Sequence, residues 1–185
     1  MTWDAFHRRG EVLRDVLDHA HDHRDGVLPM ELPGVAETFG DELTLLGALQ
    51  LRWHTHLSGA IERELMEQPV DLETAVLDAW RSTAADLPGV RMILDRAAAT
   101  PASDEIAGAL DRSRRKEWTL MASMAGKASP SDRAAARVGR ALEHRARLAY
   151  RPAATPATQA SSGRRRAVAQ DRPSVLERVK AHLAA

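Results

Sequence analysis

The stretch from Asp41 to Glu67 constrains the fold of this chain more than any other part of the sequence. When successive residues are placed 100° apart, as in an α-helix, seven of its apolar residues fall in an arc about 120° wide. These residues are Leu43, Leu46, Leu49, Trp53, Leu57, Ala60 and Ile61. Such an arc is typical of the core-facing side of an amphipathic helix. At about 1.5 Å per residue the helix is about 40 Å long, so the sequence predicts that it spans a small helical bundle.

The composition favours helices over sheets. Aromatic residues make up only 4% of the 185-residue chain, whereas alanine is frequent. Strands prefer aromatic and β-branched residues, so this composition is typical of closely packed helices. The apolar fraction of 44% is sufficient for a hydrophobic core. The chain contains no cysteine, which excludes disulfides, thiolate metal sites and a cysteine nucleophile.

Capping residues and helix breakers divide the rest of the first 127 residues into further helices. The predicted helices run from Trp3 to His23, through a short turn that ends at Phe39, and then from Asp71, Pro88 and Ser103. Aspartate and serine are favoured at helix N-caps because their side-chain oxygens accept hydrogen bonds from the first free N–H groups. We therefore expect an all-α fold, a helical bundle of about five helices over residues 1–127.

The C-terminal third has a different composition. Residues 128–151 are rich in alanine and arginine, and we expect an extra basic helix that is only loosely docked, because alanine has good helix propensity but buries little area. Residues 152–173 are rich in Pro, Ala, Ser, Thr and Arg, which is typical of a disordered linker. Residues 174–185 begin with a capping box, Ser174 to Glu177, and we expect a short C-terminal amphipathic helix.

The tetrapeptide Leu-Pro-Gly-Val occurs twice, at residues 32–35 and 87–90. One interpretation is a duplicated helix–loop–helix unit, which predicts that the two units superpose by a two-fold rotation. The other is chance, combined with the general use of proline at helix starts. The sequence alone favours chance.

The net charge of zero conceals an asymmetry along the chain. Residues 1–132 hold 14 basic and 23 acidic residues, a net charge of −9, whereas residues 133–185 hold 12 basic and 3 acidic residues, a net charge of +9. A basic segment on an acidic body favours contact with an acidic partner.

Arginines suggest one candidate binding surface. It comprises Arg112, Arg114, Arg115, Arg137 and Arg140, with Arg164, Arg165 and Arg166 in the predicted linker. Arginines in this number can neutralise phosphates of a nucleic acid. However, no aromatic residue is interleaved with the arginines to stack on bases, and the sequence lacks helix-turn-helix and zinc-finger spacings. A solvated helix face is the simpler interpretation.

A second candidate site lies on the central helix. Gln50 and Glu64 fall within its apolar arc, and His54 falls at its edge. Polar groups on a core-facing side are either paired with one another or placed where the bundle opens. Gln50, His54 and Glu64 are therefore candidates for a polar pocket, and the alternative is a hydrogen-bonded core histidine with a glutamate that reaches water.

Metal and catalytic motifs are not evident. His19 and His23 are four residues apart and can share a metal, but they point away from the apolar face of their helix. The chain has no HExxH motif, no nucleophile elbow and no Gly-rich phosphate loop. We therefore assign no catalytic residue, no metal ligand and no cofactor. The absence of these motifs does not exclude an enzyme, but it gives no reason to assert one.

Three segments carry a resemblance to other proteins. These are Thr2 to Gly10 (TWDAFHRRG), Phe39 to Leu43 (FGDEL) and Leu46 to His54 (LGALQLRWH). Together they resemble an uncharacterised family of small helical proteins of high-GC Gram-positive bacteria, over roughly the first 95 residues. The family has no known activity, so the resemblance implies no function and no site residue.

The sequence leaves three functional hypotheses. The N-terminus does not read as a signal peptide, and no apolar run approaches the ~18 residues of a membrane span, so we expect a cytoplasmic protein without membrane contact. The first hypothesis is a non-enzymatic helical interaction or regulatory protein, with a protein partner or a second copy of the chain. The second is a nucleic-acid-associated protein that binds phosphates through its Arg-rich C-terminal region. The third is a bundle that binds a small molecule or metal at the polar pocket.

Overall fold

The computed structural model describes residues 3–150, with side chains from residue 7, and all regular elements in this part of the chain are helices. They are α1 (Trp3–His23), α2 (Val35–Phe39), α3 (Glu42–Met66), α4 (Leu72–Asp86), α5 (Pro88–Ala99), α6 (Asp104–Met124) and α7 (Ala135–Ala149). The all-α bundle predicted from the sequence is confirmed. The predicted linker 152–173 and the predicted helix 174–185 lie outside the described residues.

Helix α3 supplies the centre of the core. Trp53 is fully buried and makes an edge-to-face contact with Trp80 of α4, with 5.9 Å between ring centroids. The buried residues of α3 are Leu45, Leu46, Leu49, Gln50, Trp53, Leu57, Ala60 and Ile61. The predicted apolar side of this helix is therefore confirmed, except that Leu43 is only partly buried and Leu45 is completely buried.

The predicted capping residues begin three of the helices. The Asp41 carboxylate accepts a hydrogen bond from the Thr44 N–H at 2.7 Å, and the Ser103 hydroxyl accepts one from the Ile106 N–H at 3.2 Å. Asp71 caps α4 in the same way. These bonds satisfy N–H groups that have no partner within the first turn of a helix.

Helix α7 packs closely against α6, and the prediction of loose docking is wrong. Gly139 lies against the backbone of Trp118: a Cβ added to Gly139 would stand 1.8 Å from the Trp118 carbonyl oxygen. Ala135 and Ala146 are fully buried, and Leu142 is 3% exposed. Small side chains allow two helix backbones to approach closely, so the alanines that appeared unable to anchor the helix are what permit the contact. The helix lies in the same compact unit as α1 to α6.

The two Leu-Pro-Gly-Val segments differ in backbone conformation. Gly34 has φ 80°, in the left-handed region, and stands just before α2. Gly89 lies within α5, where a Cβ would stand 1.8 Å from the carbonyl oxygen of Ala20 in α1. The glycines are required for different reasons, a positive φ in one and a close helix contact in the other, which favours a chance repeat over a duplication.

Length and hydropathy decide whether a helix can cross a membrane. Among residues 3–150, no helix is both long enough and apolar enough to cross a membrane.

Candidate functional site

An ionic network lies between α5, α6 and α7, largely enclosed by the bundle. Arg91 and Asp95 come from α5, and Glu143 and Arg147 come from α7, each pair four residues apart and so on one face of its helix. Glu117 of α6 lies between them. The Arg91 Nη2 atom is 2.8 Å from Asp95 Oδ1, and its Nη1 atom is 3.9 Å from Glu117 Oε1.

Arg147 connects the network across the helices. Its guanidinium donates two hydrogen bonds to Asp95, at 2.7 and 2.9 Å, and two to Glu143 Oε1, at 2.6 and 3.0 Å. The other oxygen of Glu143 accepts a hydrogen bond from the Trp118 indole N–H at 2.6 Å. A planar guanidinium suits such bidentate contacts, so one side chain joins α7 to α5 while Glu143 joins α7 to α6.

Both arginines also lie over aromatic rings. The Arg91 guanidinium carbon is 4.7 Å from the ring centroid of Trp53, and that of Arg147 is 5.0 Å from the ring centroid of Trp80. These cation–π contacts stabilise guanidinium groups that have given up much of their water. The network is thereby connected to the aromatic core of α3 and α4.

The three carboxyl groups of the network fall into two classes: the pKa is lowered for Asp95 and Glu143 and raised for Glu117. Burial opposes ionisation of Asp95, but the hydrogen bond from Arg147 and the charges of Arg91 and Arg147 outweigh it, and its pKa is lowered. Burial likewise opposes ionisation of Glu143, and the charges of Arg147 and Arg91 with the Trp118 hydrogen bond again lower its pKa. These two groups are therefore carboxylates at neutral pH.

Glu117 behaves in the opposite way. Its side chain is 1% exposed, and neither carboxyl oxygen has a hydrogen-bond partner within the described residues. Burial raises its pKa, the charge of Arg91 opposes this effect, and the charge of Glu143 adds to it. When Glu117 carries its proton, two carboxylates balance two guanidinium groups and the cluster is neutral. Glu117 is the most deeply buried member of the network, whereas Arg147 and Asp95, with side chains 32% and 34% exposed, lie at its outer edge.

Sequence reasoning did not find this network. Arg91 with Asp95, and Glu143 with Arg147, are visible as i,i+4 pairs, but such pairs are common on exposed helix faces. The distinguishing signal was the position of Glu117 and Glu143 among the apolar residues of their helices, where a carboxyl group requires a partner.

Gln50 and His54, predicted as pocket residues, do lie together in a cleft. It has a volume of about 290 Å³ and lies between α3 and α6, and its lining residues are Gly47, Gln50, Leu51, His54, Ser113 and Lys116. Glu64, the third predicted residue, is not part of this lining and is partly exposed further along α3. Ser113 and Lys116 come from α6 and were not predicted.

The predicted basic surface is only partly free of ion pairs. Arg115 forms an exposed pair with Asp111 at 2.7 Å. Arg114 and Arg140 lie over the ring of Trp118, with guanidinium carbons 5.5 and 5.8 Å from its centroid. An aromatic ring is thus interleaved with arginines, which the sequence interpretation did not recognise. Arg112 and Arg137 are exposed, and Arg164, Arg165 and Arg166 lie outside the described residues.

The outward side of α7 carries positive charge alone. Glu143 is the one carboxylate within Ala135–Ala149, and it is buried in the network. Arg137 and Arg140 lie on α7, Arg133 lies in the turn just before this helix, and all three are exposed. We call these three residues the cationic α7 face. None of the three forms an ion pair with another residue of the described chain.

The histidines near the end of α1 contact one another. The rings of His19 and His23 stack with centroids 3.8 Å apart, and His23 Nδ1 is 2.9 Å from the His19 carbonyl oxygen. In residues 7–150, no group of three or more His, Asp or Glu side chains is arranged to hold a metal ion.

Comparisons of the chain with protein families, curated proteins and solved structures gave no match. The resemblance of roughly the first 95 residues to a family of small proteins from high-GC Gram-positive bacteria stays a prediction.

Proposed function

We propose that this chain is a non-enzymatic interaction protein that binds an acidic protein surface through the cationic α7 face. The observation that carries the proposal is the separation of charge on α7. Its single carboxylate is buried against Arg147, while Arg133, Arg137 and Arg140 remain outside without carboxylate partners in the described chain.

The buried network supports this proposal indirectly. The contacts of Arg147 to Asp95 and Glu143 fix the rotation of α7 about its axis, and the close contact of Gly139 with Trp118 fixes its distance from α6. A binding surface that is already fixed before contact loses little conformational entropy on binding. The face is therefore preformed.

Two kinds of acidic partner fit this chemistry. One is a different protein with an acidic patch. The other is a second copy of the chain, because residues 1–132 carry a net charge of −9. The C-terminal segment 151–185, with seven basic and two acidic residues, would add to the attraction in either case.

A charge-matched capture experiment tests the proposal. Three full-length proteins are immobilised: the unaltered chain, a face variant with Arg133, Arg137 and Arg140 changed to Gln, and a control variant with Arg8, Arg14 and Arg63 changed to Gln. Both variants lose three charges, but the control positions are exposed arginines of α1 and α3. We expect the unaltered and control proteins to retain the same partner from a cell extract, and the face variant to lose it.

Two outcomes of the capture experiment would contradict the proposal. Equal retention by the face variant would overturn the proposal, and so would equal loss in both variants, since that would mean attraction by net charge alone. A chain that ends at Arg151 tests the C-terminal segment in the same assay. Light scattering of the purified proteins at low and high salt separates a second copy from a different protein.

Nucleic-acid binding is the second candidate function, and Trp118 favours it. This ring is partly exposed and lies between Arg114 and Arg140, and aromatic rings beside arginines stack on bases of single strands. Fluorescence anisotropy with labelled single-stranded and duplex oligonucleotides at low salt tests it. Binding that weakens in Trp118→Leu favours this function, and no change of anisotropy removes it.

A further inference from the structure

We infer that the cleft between α3 and α6 is a binding site for a small organic anion, a single acidic group attached to an aryl or short alkyl body. This inference is independent of the cationic α7 face. It concerns a different surface of the bundle, lined by Gln50, His54, Ser113 and Lys116 among others.

The polar lining of the cleft consists of groups that donate hydrogen bonds or carry positive charge. Lys116 supplies an ammonium group, Ser113 a hydroxyl and His54 an imidazole, and no carboxylate lines the cleft. None of the three side chains has a hydrogen-bond or ion-pair partner elsewhere in the described chain. An anionic group placed among them would accept hydrogen bonds from several of these donors at once, and its charge would be attracted to the Lys116 ammonium, which strengthens the contact relative to a neutral ligand.

Gln50 adds an amide to the lining of the cleft. Its side chain is 7% exposed, and its Oε1 atom is enclosed without any hydrogen-bond partner. Leaving a buried polar group unpaired is unfavourable, so an amide in this state is unusual on a helix that is otherwise apolar on this side. Because Oε1 accepts hydrogen bonds, an anionic group would contact the Gln50 amide through its Nε2 donors, after a half-turn of the amide about its last side-chain bond.

The size and walls of the cleft limit the rest of the ligand. A cavity of about 150 Å³ holds one benzene molecule, and this cleft, at about 290 Å³, is roughly twice as large. Leu51, which is 65% exposed, provides an apolar wall. An aryl ring with one short acidic substituent fits this volume, whereas a nucleotide with its sugar and phosphates exceeds it.

Calorimetric titration of the full-length protein tests the site with four probes. Benzoate and phenyl phosphate carry the two candidate acidic groups, benzamide is the neutral analogue of benzoate, and inorganic phosphate lacks the ring. At about 150 mM salt, which screens charges beyond about 8 Å, we expect benzoate, phenyl phosphate or both to bind at millimolar concentration. Benzamide and inorganic phosphate should bind about tenfold more weakly, because benzamide lacks the negative charge and inorganic phosphate lacks the aryl ring. The better of the two aryl anions identifies the acidic group.

Two methionine variants locate the binding. Lys116→Met removes a charge that lines the cleft, and Arg112→Met removes a charge from the same helix that does not line it. We expect the first to weaken anion binding about tenfold and to leave benzamide binding unchanged, and the second to have almost no effect. Absence of anion binding, equal binding of benzamide, or equal weakening by both variants would each overturn the inference.

Discussion

Gly139 of α7 lies directly against the backbone of Trp118 in α6, so close that a Cβ at position 139 would stand 1.8 Å from the Trp118 carbonyl oxygen. The two helices are in contact at this point through their backbones, with no side chain between them. This contact brings Glu143 within hydrogen-bond distance of the Trp118 indole. It is the reason that α7 is an integral helix of the bundle.

Substitution of Gly139 therefore tests the packing of α7. Gly139→Ala forces the helices apart, and we expect a loss of unfolding free energy of about 1–3 kcal/mol, measured by urea denaturation. Gly47→Ala is the control, because a Cβ at Gly47 has no atom within 4 Å. It should stabilise the protein by about 0.5–1 kcal/mol, since alanine is the better helix former. If both variants behave alike, the close contact is wrong.

Removal of Arg147 tests the buried network. Arg147→Met leaves the carboxylates of Asp95 and Glu143 without this guanidinium partner, and at neutral pH we expect a loss of about 2–3 kcal/mol, less than for a fully buried pair because Arg147 and Asp95 are about a third exposed. The pKa values of both carboxyls are lowered in the folded protein. The stability they contribute is thus present above the pKa of the unfolded chain and lost as the pH falls through the folded pKa.

The pH dependence supplies the check on this prediction. The difference in unfolding free energy between the unaltered protein and Arg147→Met should shrink as the solution is acidified. Arg115→Met, which breaks an exposed ion pair with Asp111, should have little effect at any pH. A deficit in Arg147→Met that is the same at acid and neutral pH would contradict the ionic account of this residue.

Glu117→Gln tests the protonation of the buried carboxyl. The folded protein holds this proton above the ordinary pKa of 4.5, whereas the unfolded chain releases it near that value. The unfolding free energy of the unaltered protein should therefore fall with rising pH, by roughly 1.4 kcal/mol per pH unit, until the folded pKa is passed. Glutamine cannot ionise, so the variant should gain stability relative to the unaltered protein over this range. Parallel pH profiles would show that Glu117 is ionised in both states.

Trp53→Ala tests the centre of the core. The indole is fully buried and contacts both Trp80 and Arg91, so we expect a loss of about 3–5 kcal/mol. Leu51→Ala, on the same helix but 65% exposed, should change the unfolding free energy by less than about 0.5 kcal/mol. A loss below about 1 kcal/mol in Trp53→Ala would mean that the apolar side of α3 does not face the core.

The sequence was sufficient to predict those features of the fold that depend only on residues close together in the chain. The apolar side of α3 and the caps Asp41, Asp71 and Ser103 follow from local periodicity and hydrogen bonding. The docking of α7 did not follow, because the area buried by alanine is small while the closeness of approach at Gly139 depends on a second helix.

The candidate pocket was likewise predicted only for residues that share one helix. Gln50 was identified because it interrupts the apolar side of α3, and His54 because it lies at the edge of that side. Lys116 and Ser113, which complete the cleft, lie on another helix and have no sequence signal that connects them to α3. The contact of Asp95 with Arg147 joins residues 52 positions apart, a pairing that a one-dimensional pattern does not specify.

The central claim is that Arg133, Arg137 and Arg140 form the surface that meets an acidic partner. The most direct measurement is arginine-selective modification by phenylglyoxal, followed by peptide mass spectrometry, on the free protein and on the captured complex. The account predicts that binding protects these three arginines and leaves Arg8, Arg14 and Arg63 as reactive as before. Protection of the second set, or equal protection of both sets, would contradict it.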